Sequence, residues 1–149
     1  MNTVFIETMK EKFANQLTIA SYKDHPFIKF PAKNPEFGDL DIYEEYPGEY
    51  IVYVGDFTHS HFYGDGYSDD ERAGEAAKEI ISFLEGLFAD RIICYGSHEK
   101  GGGFYSVEDE DGADWIGHRT LFFFLKLRQR KPRDLFVWSG IYKITEQTE

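Results

Sequence analysis

The chain has one cysteine, Cys94, in 149 residues. A lone thiol excludes an internal disulfide framework and fits a reducing compartment, so a cytoplasmic setting is expected. Long apolar runs are missing too. The longest stretch without a polar group is Leu121–Leu125, about a quarter of what a bilayer-spanning helix needs. The first residues, MNTVFIETMKEK, put charge where a secretory leader requires an apolar segment, so no such leader is expected. Positive charge is scarce over most of the chain. Residues 1–118 hold nine Lys/Arg against twenty-four Asp/Glu, a net of −15, and residues 119–149 hold seven against three, a net of +4. With −11 overall, the field repels nucleic acid and anionic membrane and attracts a cationic partner.

Reaction motifs are equally scarce. Gly101, Gly102 and Gly103 lack P-loop or dinucleotide-binding spacing, and no helix is expected after them. No serine occupies a nucleophile elbow. Asp109, Asp111 and Asp114 surround Gly112 without the spacing or the closing glutamate of a calcium loop. Cys94 stands among Ile92, Ile93 and Tyr95, the setting of a buried, inert thiol.

Aromatic rings are abundant: fourteen Phe, ten Tyr and two Trp, 17% of the chain. Some of them are expected at the surface as contact area. The clearest local signal is a helix after Ser68. Ser68 and Glu71 form a capping box, Asp69 and Asp70 suit the positive end of the dipole, and Ala73, Ala76, Ala77, Ile80, Ile81, Leu84, Leu87 and Phe88 make one apolar stripe. A first helix is expected over Thr3–Leu17, capped by Thr3, with Ile6, Met9, Phe13 and Leu17 on one face. Three prolines mark Tyr22–Phe37 as an extended edge or connecting segment.

Leu40–Tyr46 and Tyr50–Phe62 read as a hairpin around Pro47-Gly48, with Gly55 at a bulge or a close backbone approach. Further strands are expected at Arg91–Tyr95, Phe104–Val107, Arg119–Arg128 and Leu135–Ile144. The expectation is one α+β domain over residues 1–149, in the order α-β-β-α-β-β-β-β. It has a mainly antiparallel sheet of about six strands and both helices on one face.

Two functional readings follow. The first is a non-enzymatic acidic module, an inhibitor or immunity-type protein, that engages a basic protein without cofactor. Its contact residues are Asp69, Asp70, Glu108, Asp109, Glu110 and Asp111, with Tyr63, Tyr67 and Trp115 as anchors. The second is a small metal-assisted hydrolase. On a strand His59 and His61 point the same way, and an H-x-H pair is half of a site for zinc or a similar ion. Asp56, Asp65 and His98 are the candidate further ligands. The basic loop of Arg128, Arg130, Lys131 and Arg133 reads as solvated charge, since the rest of the domain opposes phosphate.

Overall fold

Ser68 opens the longest element. Its hydroxyl accepts from the Glu71 N–H at 3.1 Å, while Glu71 Oε2 accepts from the Ser68 N–H at 3.3 Å. Helix α2 then runs Asp69–Phe88 and buries Ala73, Ala76, Ala77, Ile80, Leu84 and Leu87, six of the eight residues of the expected stripe, with Ile81 and Phe88 half-buried against the core. Exchanging the cap, Ser68→Ala, is expected to cost about 1 kcal/mol. Thermal melting should fall by a few degrees, and Ser68→Asp should restore it.

The fold comes from a computed structural model, which describes residues 1–99, 101–107 and 135–142. Helix α1 spans Thr3–Phe13. It is capped by Asn2 instead of Thr3: Asn2 Oδ1 accepts from Val4 N at 2.8 Å and Phe5 N at 3.3 Å. Its buried face is Phe5, Met9 and Phe13, four residues apart, and Ile6 beside it is half-buried. The helix closes at Phe13, whose carbonyl accepts from Gln16 N at 2.8 Å. Leu17 is buried beyond its end.

Five strands follow as an antiparallel meander: β1 (Thr18–Tyr22), β2 (His25–Phe30), β3 (Leu40–Tyr46), β4 (Glu49–Val54) and β5 (Thr58–Tyr63), in the order β1-β2-β3-β4-β5. The segment expected as an edge or connector thus contains a central strand, β2. Pro26 is tolerated there because β3 pairs only with Ile28–Phe30, so the missing N–H falls where β3 asks for no bond. Lys23 and Asp24 make the two-residue turn into it, both with positive φ (48° and 66°).

The expected single strand Tyr50–Phe62 is two strands joined by the loop Gly55–Phe57. Gly55 has φ +51°, and a Cβ on it would lie 2.0 Å from the Phe37 carbonyl oxygen. The close approach read from the sequence is real, and the bulge is a hairpin turn.

The second sheet holds β6 (Ile92–Ser97), β7 (Gly101–Ser106), β8 (Leu135–Val137) and β9 (Gly140–Tyr142), in the order β7-β6-β8-β9, again antiparallel. Gly101, Gly102 and Gly103 begin β7, and the last expected strand is a short hairpin around Trp138-Ser139. The strand expected at Arg119–Arg128 lies outside the described residues. The architecture is α+β as read, with the described strands divided between two sheets.

One core joins these layers. Phe5, Met9 and Phe13 of α1 and the buried stripe of α2 meet Ile28, Phe30, Leu40, Ile42, Tyr50, Val52 and Val54 from the inner face of the first sheet. Ile92, Cys94 and Trp138 of the second-sheet region close the same core. Ile93, Leu135 and Val137, with Tyr95 and Tyr105 against them, form a smaller cluster. Both helices therefore leave the outer face of the first sheet to the side chains that alternate outward.

Candidate functional site

Alternation decides what that outer face carries. In β5 the exposed residues are His59, His61 and Tyr63, with Thr58, Ser60 and Phe62 turned inward. Strand pairing sets Tyr53 opposite His59, Ile51 opposite His61, and Glu49 opposite Tyr63. It also sets Asp41 opposite both Tyr53 and Lys29. The rings form a continuous ladder across the sheet. Phe27 stacks on Tyr43 (4.6 Å between centroids), Tyr43 meets Tyr53 edge-on (5.7 Å), and Tyr53 meets His59 (5.6 Å). His59 meets His61 (5.3 Å), and His61 meets Tyr63 (6.3 Å).

His98 joins from the second sheet. Its N–H donates to the Asp56 carbonyl at 3.0 Å, which ties the β6–β7 turn to the β4–β5 loop. That bond sets the His98 ring parallel to His59 (4°, 6.2 Å) and 6.2 Å from Tyr53.

Three imidazoles thus lie together as the metal reading requires, but the carboxylates do not converge on them. Asp56 and Asp65 lie beyond opposite ends of β5, and six strand residues span about 20 Å. Among the described residues, no group of three or more His, Cys, Asp or Glu side chains is placed to hold a metal ion. Among the described residues, a carboxylate that the sequence did not suggest comes close: Glu45 Oε2, 4.0 Å from His61 Nδ1.

Charge on the face is mostly negative. Its lysine, Lys29, is already engaged, with Nζ 2.9 Å from Asp39 Oδ2 and 3.5 Å from Asp41 Oδ1. The hydrogen bond to Asp39 raises the Lys29 pKa and lowers that of Asp39. Asp41 moves the other way. Its Oδ1 is buried and lacks a hydrogen bond among the described residues, and desolvation outweighs the nearby lysine to raise its pKa.

The end of the ladder runs into an acidic corner. Gly64 N donates to the Gly48 carbonyl at 2.9 Å, joining the end of β5 to the β3–β4 turn, and both glycines lie against Arg72 near the start of α2. Tyr46 (64% exposed), Tyr63 (58%) and the fully exposed Tyr67 stand there, beside Glu44, Glu45, Glu49, Asp65, Asp69, Asp70 and Glu71. Among the described residues, the cations of this corner are Arg72, which pairs with Asp69, and the N-terminal amine, 3.3 Å from Glu44. Asp70 accepts from Asn2 Nδ2 at 3.0 Å, and Glu71 is occupied by the helix cap and by Tyr67 N at 2.7 Å.

Of the sequence-predicted contact residues, Tyr63, Tyr67, Asp69 and Asp70 share this corner. Glu108, Asp109, Glu110, Asp111 and Trp115 lie outside the described residues. Tyr43, Tyr46, Tyr53, Glu45 and Glu49 were missed. The signal for them was the outward alternation in LDIYEEY and EYIVYV.

No helix among the described residues is long and apolar enough to cross a membrane. Comparisons of the chain with protein-family models, with curated proteins and with solved structures returned no match.

Proposed function

We propose that the chain is a non-enzymatic binding protein of inhibitor or immunity type, acting in the cytoplasm on a cationic protein partner. The observation that carries this reading is the corner where Tyr46, Tyr63 and Tyr67 stand exposed among seven carboxylates and two engaged cations. Tyrosine is rigid, has an apolar body and a polar tip, and anchors protein contacts at low entropic cost. Surrounding carboxylates steer a positive partner and discriminate against negative ones. The cytoplasmic setting is supported by the lone cysteine, which leaves the fold without an internal disulfide.

The test starts with native mass spectrometry of the chain from its source cell, to identify a stoichiometric partner, followed by stopped-flow association. The association rate should drop at least about tenfold between about 20 mM and about 300 mM salt. The double variant Glu45→Lys/Glu49→Lys should slow it by a similar factor at low salt, with a smaller change in dissociation. An on-rate indifferent to salt and to charge reversal would remove the reading.

A further inference from the structure

The outer sheet face offers more than negative charge. It presents ring faces and edges in an unbroken row, next to carboxylates whose neighbouring lysine is already paired. A cationic side chain arriving there meets two kinds of attraction, the π-faces and the carboxylates, and the two do not favour all cations alike. A lysine ammonium is a compact, strongly hydrated point charge. An arginine guanidinium is flat, weakly hydrated, stacks on aromatic planes and can bond a carboxylate through two N–H groups at once.

Tyr53 (37% exposed) and Tyr63 (58%) supply open ring surface, with His59 and His61 between them. Glu45 lies 4.0 Å from His61, and Glu49 is the cross-strand neighbour of Tyr63. Carboxylates therefore flank two rings of the ladder, Glu45 beside His61 and Glu49 beside Tyr63. A guanidinium can stack on such a ring while its N–H edge reaches the adjacent acid.

Nucleic-acid bases would also stack on such rings, but their phosphates meet a surface of the same sign. We infer that the ladder Tyr53–His59–His61–Tyr63 is an arginine-reading surface: it takes guanidinium side chains of the partner in preference to lysines. This rests on the cationic-partner reading above and names the side-chain chemistry that partner presents.

The test uses the full chain and two defined probes, hexa-arginine and hexa-lysine peptides of equal charge, titrated calorimetrically at about 150 mM salt. Hexa-arginine should bind about tenfold more tightly than hexa-lysine, the gain that two stacked guanidinium groups bring. In Tyr53→Ala and in His59→Ala/His61→Ala, each of which removes part of the ladder, that preference should shrink to about threefold, while weak binding of both peptides persists. The histidine ring proton signals of the unaltered chain give a second readout that needs no variant: His59, His61 and His98 should shift with hexa-arginine and stay in place with hexa-lysine.

Equal affinity for the two peptides, or unmoved histidine signals under hexa-arginine, overturns the arginine reading and leaves cationic docking standing. Binding of neither peptide overturns both. A tenfold preference that survives in both variants places arginine recognition elsewhere and also overturns the inference.

Discussion

Gly64→Ala is expected to destabilise the fold by at least about 3 kcal/mol, the upper end of what overpacking costs. For a chain of this size that corresponds to a fall in melting temperature of about 10 °C. The expectation comes from contact geometry alone. A Cβ at Gly64 would lie 1.7 Å from the Arg72 carbonyl oxygen and 2.5 Å from its carbonyl carbon. Both atoms belong to the helix backbone, which no side-chain rotation can move aside.

The clash is also badly placed for relaxation. Gly64 N is bonded to the Gly48 carbonyl, and α2 is fixed by its buried stripe. Either the end of β5 or the start of α2 must retreat, and the tyrosine corner depends on that junction. Gly74→Ala is the internal control: an added Cβ there meets nothing within 4 Å. Alanine in a helix interior gains about 0.5–1 kcal/mol over glycine, so this variant should melt higher. Two Gly→Ala changes in one chain should thus move stability in opposite directions. If calorimetry gives shifts of the same sign, the close approach of β5 to α2 is wrong.

The contrast between these two glycines marks where the sequence is legible. Helix α2 could be read residue by residue because its information is local: Ser68 and Glu71 are three apart, and the stripe repeats at helical spacing. The shared face of His59 and His61 was legible for the same reason, through the two-residue period of a strand. The divisions around them were hidden.

Tyr50–Phe62 looks like one run because the loop between β4 and β5 ends in Phe57, which is 3% exposed and fills core against Phe37 and Phe136. An apolar loop residue erases the polar interval that normally signals a turn. The β1–β2 turn lacked its usual sign for another reason. Lys23 and Asp24 adopt positive φ without the Asn-Gly or Asp-Gly pair that reports such turns.

Long-range placement had no local signature at all. His98 stands beside His59 because its N–H finds the Asp56 carbonyl, a bond between backbone groups that every residue possesses. The same applies to the approach of Gly64 to Arg72. The candidate surface was therefore half-visible. Tyr63, Tyr67, Asp69 and Asp70 could be proposed from strand and helix patterns, and their assembly with Tyr46, Glu45 and Glu49 depended on the β3–β4 turn docking onto the start of α2.

The second large effect is expected at Phe5, where Phe5→Ala should cost about 3–5 kcal/mol. Phe5 is fully buried, and its ring stacks on Tyr50 with centroids 3.8 Å apart and planes 11° from parallel. Tyr50 is itself 1% exposed and donates to Glu44 Oε1 at 3.0 Å. Burial pushes its hydroxyl pKa up, so the group stays a donor. Glu44 in turn accepts from Asn2 N at 2.9 Å, next to the cap of α1. Deleting the ring therefore opens a cavity and also unseats the tyrosine that fixes the helix cap to the sheet. Phe5→Leu keeps most of the volume and should lose less than about half as much.

Cys94 provides a built-in reporter, because it is fully buried and burial pushes its thiol up to about 12. In the native chain neither access nor thiolate is available to an alkylating reagent, so labelling has to wait for unfolding. Each 1.4 kcal/mol of lost stability should then raise the labelling rate about tenfold, which puts Phe5→Ala about two to three orders of magnitude above the parent chain and Phe5→Leu between them. Labelling of Phe5→Ala within a few-fold of the parent would mean that α1 contributes little to the core around Cys94, and that Phe5 stacks on Tyr50 without holding the two layers together.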